Sequence, residues 1–414
     1  MSNKLSNFAI DTLDGLAYIL VTITVFALLW LIIMYVVDKN QTESTLRRNH
    51  PVVARLRYFF ENLGIYFRQY FFASEREEMP FNRAERSWVY RAAKNVDSTL
   101  PFGSSLDISK KGTILFVNSA FPVIEHDVKE ISRVTIGPFC RKPYITNSIF
   151  NISGMSFGAI SAPAVKALSK GAKAANIWFN TGEGGLSGYH LEGGGDIIFQ
   201  FGTAKFGVRK KEGGFDEDKL KEIAEHQQVK MFEIKLSQGA KPGKGGILPG
   251  VKVTEEIASI RGIEPFKDAV SPNRHPELEN VGNLLDMIDY IRETTGKPVG
   301  FKIAVGSYEF FEDLCKDIKK RGIKSAPDFI TIDSADGGTG AAPMSLIDSM
   351  ALPIKESLPK VVDIIKKHKL KDRIKICASG KLITPADVAW ALCVGADFIN
   401  SARGFMSKRI AKPV

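Results

Sequence analysis

The chain of 414 residues is 44% hydrophobic and 25% charged, a composition that supports a large folded core and excludes a disordered protein. Its net charge is +10, but the sequence contains no zinc-finger spacing, basic heptad or aromatic RNA-binding signature, so we expect no nucleic-acid partner. The four cysteines form no CxxC pair, which suits a reducing compartment without disulfides. The six histidines are scattered, and we predict no metal site.

The first predicted element is an uncharged segment over residues 16–37, preceded by a short tail over residues 1–15. As a helix it is long enough to cross the roughly 30 Å hydrocarbon core of a bilayer, so we predict a transmembrane helix. The basic residues that follow it are Lys39, Arg47, Arg48, Arg55 and Arg57, whereas only Lys4 precedes it. The positive-inside rule therefore predicts a single-pass protein of the cytoplasmic membrane that contacts lipid, with its N-terminus outside and the C-terminal bulk of the chain in the cytoplasm.

Residues 38–145 are predicted to form a juxtamembrane segment and a small subdomain that precedes the main domain. The stretch RLRYFFENLGIYFRQYFF (residues 55–72) mixes basic and aromatic residues, and two interpretations stay open. It is either a helix at the membrane surface or a helix that packs on the main domain. Residues 81–144 contain only short β-like pieces, such as GTILFV, and loops with Pro and Gly.

From residue 146 to residue 406, short apolar runs alternate with helical segments, a pattern typical of parallel strands joined by crossover helices. The eight runs assigned to strands are IFNIS, IWFNTGE, MFEIKLS, DAVSP, VGFKIAV, DFITIDS, IKICASG and DFINSA. The helices between them include residues 162–175, 284–295, 310–321 and 385–394. Eight strands predict an α/β fold of the (β/α)8 barrel type, with the active site at the carboxyl ends of the strands.

Gly-rich and polar segments follow many of these strands. They are SGMSFGAIS, NTGEGGLSG, EIKLSQGAKPGKGGILPG, DSADGGTGAAP, ASGKLIT and SARG. The third segment is predicted to place Lys235, Gln238, Lys241 and Lys244 in one loop. Backbone amides in such loops bind phosphate, and several cations at one barrel mouth suit a phosphorylated cofactor and an anionic substrate. Lys302 lies inside the apolar run VGFKIAV without an evident partner, so an electron-rich ligand would explain its burial.

These segments resemble the flavin-binding synthase domain of glutamate synthase, in its stand-alone, membrane-anchored bacterial branch. The resemblance covers residues 131–406 and rests on SGMSFGAIS, NTGEGG, QGAKPGKGGILPG, SPNRH and DGGTGA, which occur in the family's order and spacing. It implies an oxidoreductase of glutamate biosynthesis, acting on CH–NH2 donors, that binds FMN. The reaction would reduce 2-iminoglutarate, formed from 2-oxoglutarate and ammonia, to L-glutamate by hydride transfer. The electron donor would be ferredoxin or an NADPH-linked subunit.

The resemblance also implies roles for individual residues. The FMN-binding residues would be Ser153, Met155, Ser156, Lys302, Gly337, Gly338, Gly380, Ala402 and Arg403. The catalytic residues would be Glu183, Lys241 and Gln238. Arg261 would bind the oxo acid together with Lys241 and Glu183, since Lys241 and Arg261 could neutralise two carboxylates.

Three departures from the family leave alternatives open. Ile247 stands where the large enzymes commonly have glutamine, so the substrate could be another oxo acid or an amine. No cysteine nucleophile of an amidotransferase domain is present, so ammonia would be free or would come from a partner. The chain stops at Val414, after a stub over residues 407–414, so we expect a truncated product without the last barrel helix or the cysteines of the family's iron–sulfur cluster. A catalytically inactive remnant is therefore a third interpretation.

Overall fold

The computed structural model describes residues 2–97, 99–239, 245–337, 342–343 and 345–408. The chain divides into two compact units, Met1–Ala84 and Glu85–Val414. The finer division predicted at residues 15, 37, 145 and 406 stays a prediction.

The first unit is helical. It contains helices α1 (Ser2–Asn40), α2 (Thr45–Asn49) and α3 (Val53–Phe67), and a π-helix (Arg68–Phe72) that continues α3. By length and composition, Ile10–Asn40 of α1 is long and apolar enough to cross a membrane. The basic and aromatic stretch at residues 55–72 is helical throughout, as both interpretations of it require.

The second unit begins with short elements before the barrel. They are α4 (Arg83–Ala93, which starts at the end of the first unit), a 3-10 helix (Glu125–Asp127), and the antiparallel strands β1 (Val134–Ile136) and β2 (Tyr144–Thr146). The β-like prediction for GTILFV (residues 112–117) is wrong, because this segment lies outside every strand that the described residues form. Its Leu115, Phe116 and Val117 side chains are exposed, so no neighbouring strand covers them.

Eight parallel strands close a barrel, which confirms the predicted fold class. These strands are β3 (Phe150–Ile152), β4 (Trp178–Asn180), β5 (Asp196–Phe201), β6 (Val229–Lys235), β9 (Val299–Ala304), β10 (Phe329–Asp333), β11 (Lys375–Ser379) and β12 (Phe398–Ser401). The helices are α5 (Ala162–Ala175), α6 (Gly188–Leu191), α7 (Glu217–Glu225), α8 (Glu255–Arg261), α9 (Val281–Thr295), α10 (Glu309–Arg321), α11 (Ile354–Lys367), α12 (Pro385–Val394) and α13 (Arg403–Lys408). Two further strands, β7 (Gly246–Leu248) and β8 (Ala269–Ser271), pair antiparallel outside the barrel, and 3-10 helices cover Gly250–Lys252 and Ile323–Ser325.

One of the eight predicted strands is wrong. DAVSP (residues 268–272) contributes β8 and not a barrel strand, and the third barrel strand is β5, with the sequence DIIFQF. The last five residues of β5 are all buried, as expected for a parallel strand covered on both faces. In contrast, β8 buries alternate residues, which is typical of a strand with one face exposed.

Large aromatic side chains fill the end of the barrel at which the strands begin. Trp178 and Phe398 are the first residues of β4 and β12, and their ring centroids lie 5.0 Å apart. Tyr144 of β2 packs against Trp178, and its hydroxyl donates to the Asp196 carboxylate at 2.9 Å. The antiparallel pair thus closes this end of the barrel, where Ile136 of β1 and Tyr144 of β2 pack with Trp178 and Phe398.

Helix α13 (Arg403–Lys408) follows β12, although the sequence predicts a barrel without its last helix and a stub over residues 407–414. Phe405 of α13 stacks against Phe150 of β3, with 5.3 Å between the ring centroids. This contact joins the residues after the last strand to the first strand of the barrel and gives the helix an apolar surface to cover. A helix of six residues is too short for a periodic pattern to reveal it in the sequence.

Candidate functional site

The carboxyl ends of the barrel strands surround a cavity of about 400 Å³, and a second cavity of about 70 Å³ adjoins it. Lys302, Asp333 and Ala402 line both cavities. A larger cleft of about 610 Å³ lies elsewhere, beside Val281 of α9 and Phe310 of α10, and contains none of the predicted site residues. Since active sites of (β/α)8 barrels lie at the carboxyl rim, the two adjoining cavities form the candidate site.

The predicted site residues converge on these two cavities. The larger cavity is lined by Met155, Ser156, Glu183, Gln238, Arg261, Lys302, Gly337 and Ala402. The smaller one is lined by Ser153, Lys302, Gly337, Gly380, Ala402 and Arg403. Lys241 and Gly338 lie outside the described residues. The structure therefore brings together all the predicted site residues that it describes.

Glu183, Lys235 and Gln238 form one hydrogen-bonded group. Lys235 Nζ lies 2.6 Å from Glu183 Oε1, and Gln238 Nε2 donates to Glu183 Oε2 at 2.9 Å. Lys235 is the last residue of β6 and does not belong to the loop in which the sequence placed it. Burial opposes the charge of Glu183, but Lys235, Gln238 and Lys302 hold its pKa below the ordinary value. Burial and the Lys302 cation lower the pKa of Lys235.

Lys302 has a carboxylate partner, contrary to the sequence-based expectation. Its Nζ lies 3.0 Å from Asp333 Oδ2, and Asp333 ends the neighbouring strand β10. Although burial opposes its charge, the Asp333 carboxylate raises the pKa of Lys302 above its ordinary value. Lys302 is also the register partner of Lys235, so two cations stand side by side on β9 and β6. An electron-rich ligand is thus not needed to explain the burial of Lys302.

Arg261 contributes a third cation, from outside the barrel strands. It is the last residue of α8, which begins after the N-cap Thr254 and ends at Gly262 in the left-handed conformation. Arg261 as a whole residue is only 6% exposed; its Nη2 donates to the Phe157 carbonyl at 3.2 Å, and its Nε has no partner among the described residues. Burial lowers the pKa of Arg261. The cavity therefore contains a buried guanidinium that the described residues do not pair with a carboxylate.

A buried carboxylate lies one layer below this group. Glu233 is fully buried inside the barrel and accepts hydrogen bonds from Asn180, Gln200 and Thr331. The sequence pattern contained a signal for both Glu233 and Lys235, which our site prediction did not use. In MFEIKLS these two charged residues alternate with apolar ones, so a single face of the strand carries both.

The loops at the rim approach one another closely. Gly182 has a φ of 65°, and a Cβ at this position would lie 2.8 Å from Ser156 N, so the loops after β3 and β4 meet backbone to backbone. Gly380, with a φ of 139°, instead approaches a side chain, and the Ser334 hydroxyl leaves no room for a Cβ at this position. Arg403, at the start of α13, connects the segment after β12 to the loop after β10, since its Nη1 donates to the Asp336 carbonyl at 3.0 Å.

The fold and the site define a (β/α)8 barrel protein with a polar cavity at the carboxyl rim of its strands. The conserved region of glutamate synthase matches residues 115–408. The glutamate synthase large subunit-like protein YerD of Bacillus subtilis is 39% identical over 412 residues, which cover 90% of this chain and 78% of YerD. The chain belongs to the glutamate synthase family.

Other similar proteins align with a smaller share of this chain. The archaeal-type glutamate synthase (NADPH) of Thermotoga maritima is 35% identical over 250 residues, which cover 60% of this chain and 45% of that enzyme. The chain therefore corresponds to less than half the length of that relative. The crystal structure of mandelate oxidase with benzoyl-formic acid aligns with a TM-score of 0.42 at 14% identity, over 70% of this chain and 73% of its own. This last similarity is too low to bear on function.

Proposed function

We propose that this protein is an FMN-dependent oxidoreductase of the glutamate synthase type that forms L-glutamate from 2-oxoglutarate and ammonia. The observation that carries the proposal is the Arg261 guanidinium, which lines the cavity, is buried, and has no carboxylate partner among the described residues. A buried guanidinium in such a cavity is suited to bind the carboxylate of an oxo acid. Glu183 and Lys235 lie in the same cavity, where the substrate's reacting carbon would be held.

The residues present fit FMN. A flat ring needs a floor of backbone without bulky side chains, and the close approach of Gly182 to Ser156 provides one. A phosphate needs backbone amides and a cation, and the smaller cavity offers the loop at Gly380 with Ala402 and Arg403. The residues that would hold FMN are Ser153, Met155, Ser156, Lys302, Gly337, Gly338, Gly380, Ala402 and Arg403. When bound, FMN would supply the two-electron chemistry of the reaction.

The chain's own residues would bind the oxo acid, orient it in the cavity and supply a proton to it. Arg261 would hold one carboxylate of the oxo acid, and Lys241, which lies outside the described residues, would hold the other. Glu183 keeps Lys235 and Gln238 in place through its two carboxylate oxygens. Lys235 lines the same cavity and would give and take a proton at the reacting carbon; burial and the Lys302 cation, which lower its pKa, favour this role. Ammonia would be free or come from a partner, and electrons from ferredoxin or an NADPH-linked subunit.

A second candidate substrate follows from Ile247 of β7. Its side chain lines the cavity and is 42% exposed, and Ile160, Leu248 and Phe206 line the same cavity. An apolar wall of this kind cannot donate a hydrogen bond to a distal carboxylate. It favours an oxo acid with an apolar side chain, which Arg261 would bind in the same way.

We also propose that α1 anchors the protein in the membrane, because it is long and apolar enough to cross one. Its Ile10–Asn40 portion would span the cytoplasmic membrane once, with the barrel on the cytoplasmic side, as the basic residues after the span predict.

The test starts from the detergent-purified full chain, whose flavin is measured by absorbance and identified after release. The protein is reduced with dithionite without oxygen and mixed with ammonia and either 2-oxoglutarate or 4-methyl-2-oxopentanoate. Reoxidation by 2-oxoglutarate that yields glutamate, and that needs ammonia, supports the main proposal. Reoxidation by the branched oxo acid alone supports the second candidate, and Ile247→Gln should then shift the preference to 2-oxoglutarate. Absence of bound flavin would contradict both and support the inactive remnant.

A further inference from the structure

The end of α1 is tied to the beginning of α3 by one buried carboxylate. Asp38 is fully buried in the last turns of α1, and its Oδ2 accepts a hydrogen bond from Val52 N at 3.0 Å. Arg55 Nη2 lies 2.7 Å, and Arg47 Nη2 2.8 Å, from Asp38 Oδ1. Ala54, in the first turn of α3, is also buried. The first turn of α3 is therefore held directly at the end of the segment that is long enough to cross a membrane.

Helix α3 exposes a continuous apolar face. Helical spacing puts six side chains within one sector of its surface: Leu56, Phe59, Phe60, Leu63, Tyr66 and Phe67. We call this sector the aromatic face. Phe59, Phe60 and Tyr66 are 58%, 62% and 61% exposed, so the aromatic face is open. The opposite side carries the exposed ion pair between Arg57 and Glu61, whose Nε and Oε1 lie 2.8 Å apart.

We infer that α3 lies in the interface of the bilayer and buries its aromatic face among the headgroups and upper acyl chains of anionic lipid. This inference rests on the proposed membrane anchor and not on the proposed reaction. If α1 spans the bilayer, the Asp38 cluster holds α3 at the membrane boundary, where an exposed aromatic face has an apolar phase to enter. Lys39, next to Asp38 in the chain, and Arg48, next to Arg47, are exposed and supply positive charge that anionic headgroups attract. This favours the first of the two interpretations of residues 55–72.

Spin labels measure this placement directly. The full chain, carrying Cys393→Ser to remove an exposed thiol, is labelled at Phe60→Cys, at Glu61→Cys or at Ile32→Cys. Each variant is reconstituted in vesicles of phosphatidylcholine with phosphatidylglycerol. Collisions of the label with oxygen report lipid, and collisions with a water-soluble nickel complex report water. We expect the labels at positions 32 and 60 to collide mainly with oxygen, which indicates lipid, and the label at position 61 to collide mainly with the nickel complex, which indicates water. When phosphatidylglycerol is left out, the lipid signal at position 60 should be lost.

The pattern of labels separates the possible failures. Water at positions 32 and 60 together would overturn the anchor and this inference. Lipid at position 32 with water at position 60 would overturn this inference alone. Protection of position 60 from both reagents would also overturn it, because the aromatic face would then be covered by protein. Asp38→Asn should shift position 60 towards water, whereas Glu43→Gln, an acidic residue outside the cluster, should leave it in lipid; equal effects would count against the role of Asp38.

Discussion

Lys235 Nζ and Glu183 Oε1 lie 2.6 Å apart, and this ion pair joins the end of β6 to the loop after β4 at the rim of the barrel. Lys235 and Glu183 are 14% and 23% exposed in their side chains, so the pair is largely shielded from water. Lys302 and Arg261 line the same cavity. Glu183 therefore neutralises part of a cluster of three cations, of which Lys302 also pairs with Asp333.

Glu183→Gln should lower stability by about 1–3 kcal/mol at neutral pH, as is typical for hydrogen bonds to a charged group. The folded-state pKa of Glu183 lies below its ordinary value of 4.5, so its contribution is present above that value and lost as the pH falls through the folded pKa. The difference between the wild type and the variant should thus be largest near pH 7 and smaller at pH 4, by thermal denaturation in detergent. Glu222→Gln, at an exposed site on α7, is the control. A difference that does not change with pH would contradict the assignment.

Lys302→Ala should weaken flavin binding or lower the reduction potential of the bound flavin, because a nearby cation stabilises the anionic reduced form. The control is Lys316→Ala, which removes an exposed lysine of α10. Lys302 also neutralises Asp333, so the double variant Lys302→Ala/Asp333→Asn distinguishes the two roles. If the lysine acts on the flavin, the double variant should keep the defect. Full recovery of affinity and potential would mean that Lys302 only compensates for Asp333.

The barrel could be predicted from the sequence because most of its strands are short apolar runs followed by Gly-rich loops. The exception shows the limit of that pattern. DAVSP and DIIFQF are both compatible with a strand, and what separates them is whether one face or both are covered, which depends on neighbours far away in sequence. Similarly, the helix α13 depends on a contact between Phe405 and Phe150, at opposite ends of the barrel sequence.

Residues that line the candidate cavity could be named from the sequence, but the ion pairs between them could not. The family resemblance implied Glu183, Gln238 and Arg261, and all three line one cavity. The ion-pair partners of the lysines depend on which strands are neighbours in the barrel. Lys302 contacts Asp333 because β9 and β10 are adjacent, and the local sequence around Lys302 does not predict that adjacency. The sequence predicts a loop at Lys235, although this residue ends β6, because the Gly-rich segment begins only three residues later, at Gln238-Gly239.

Arg261→Lys should raise the dissociation constant of 2-oxoglutarate about tenfold or more without loss of flavin, because an ammonium cannot reproduce the two-pronged contact of a guanidinium with a carboxylate. The change in flavin absorbance during titration with 2-oxoglutarate measures it. Arg321→Lys, at a surface ion pair with Asp286, is the matched control. Loss of flavin together with substrate affinity would instead show that Arg261 supports the loop at Phe157.

The last prediction concerns the carboxylate inside the barrel. Glu233 of β6 is fully buried and accepts hydrogen bonds from Asn180 of β4, Gln200 of β5 and Thr331 of β10. Glu233→Gln replaces one acceptor oxygen by an NH2 group that faces these donors, so it should destabilise the fold by about 1–3 kcal/mol. Thr331→Val removes one donor and should cost less, since the carboxylate keeps two others.

The double variant Glu233→Gln/Thr331→Val decides whether these groups act as one network. If they do, the double variant should lose less stability than the sum of the two single variants, because the threonine hydroxyl has less to lose once the carboxylate is gone. Thermal or urea unfolding in detergent gives the three differences, with bound flavin measured in parallel. Strict additivity would show that Thr331 and Glu233 stabilise the barrel independently. A loss of flavin without any loss of stability would instead place Glu233 in the support of the cavity above it and not in the stability of the barrel.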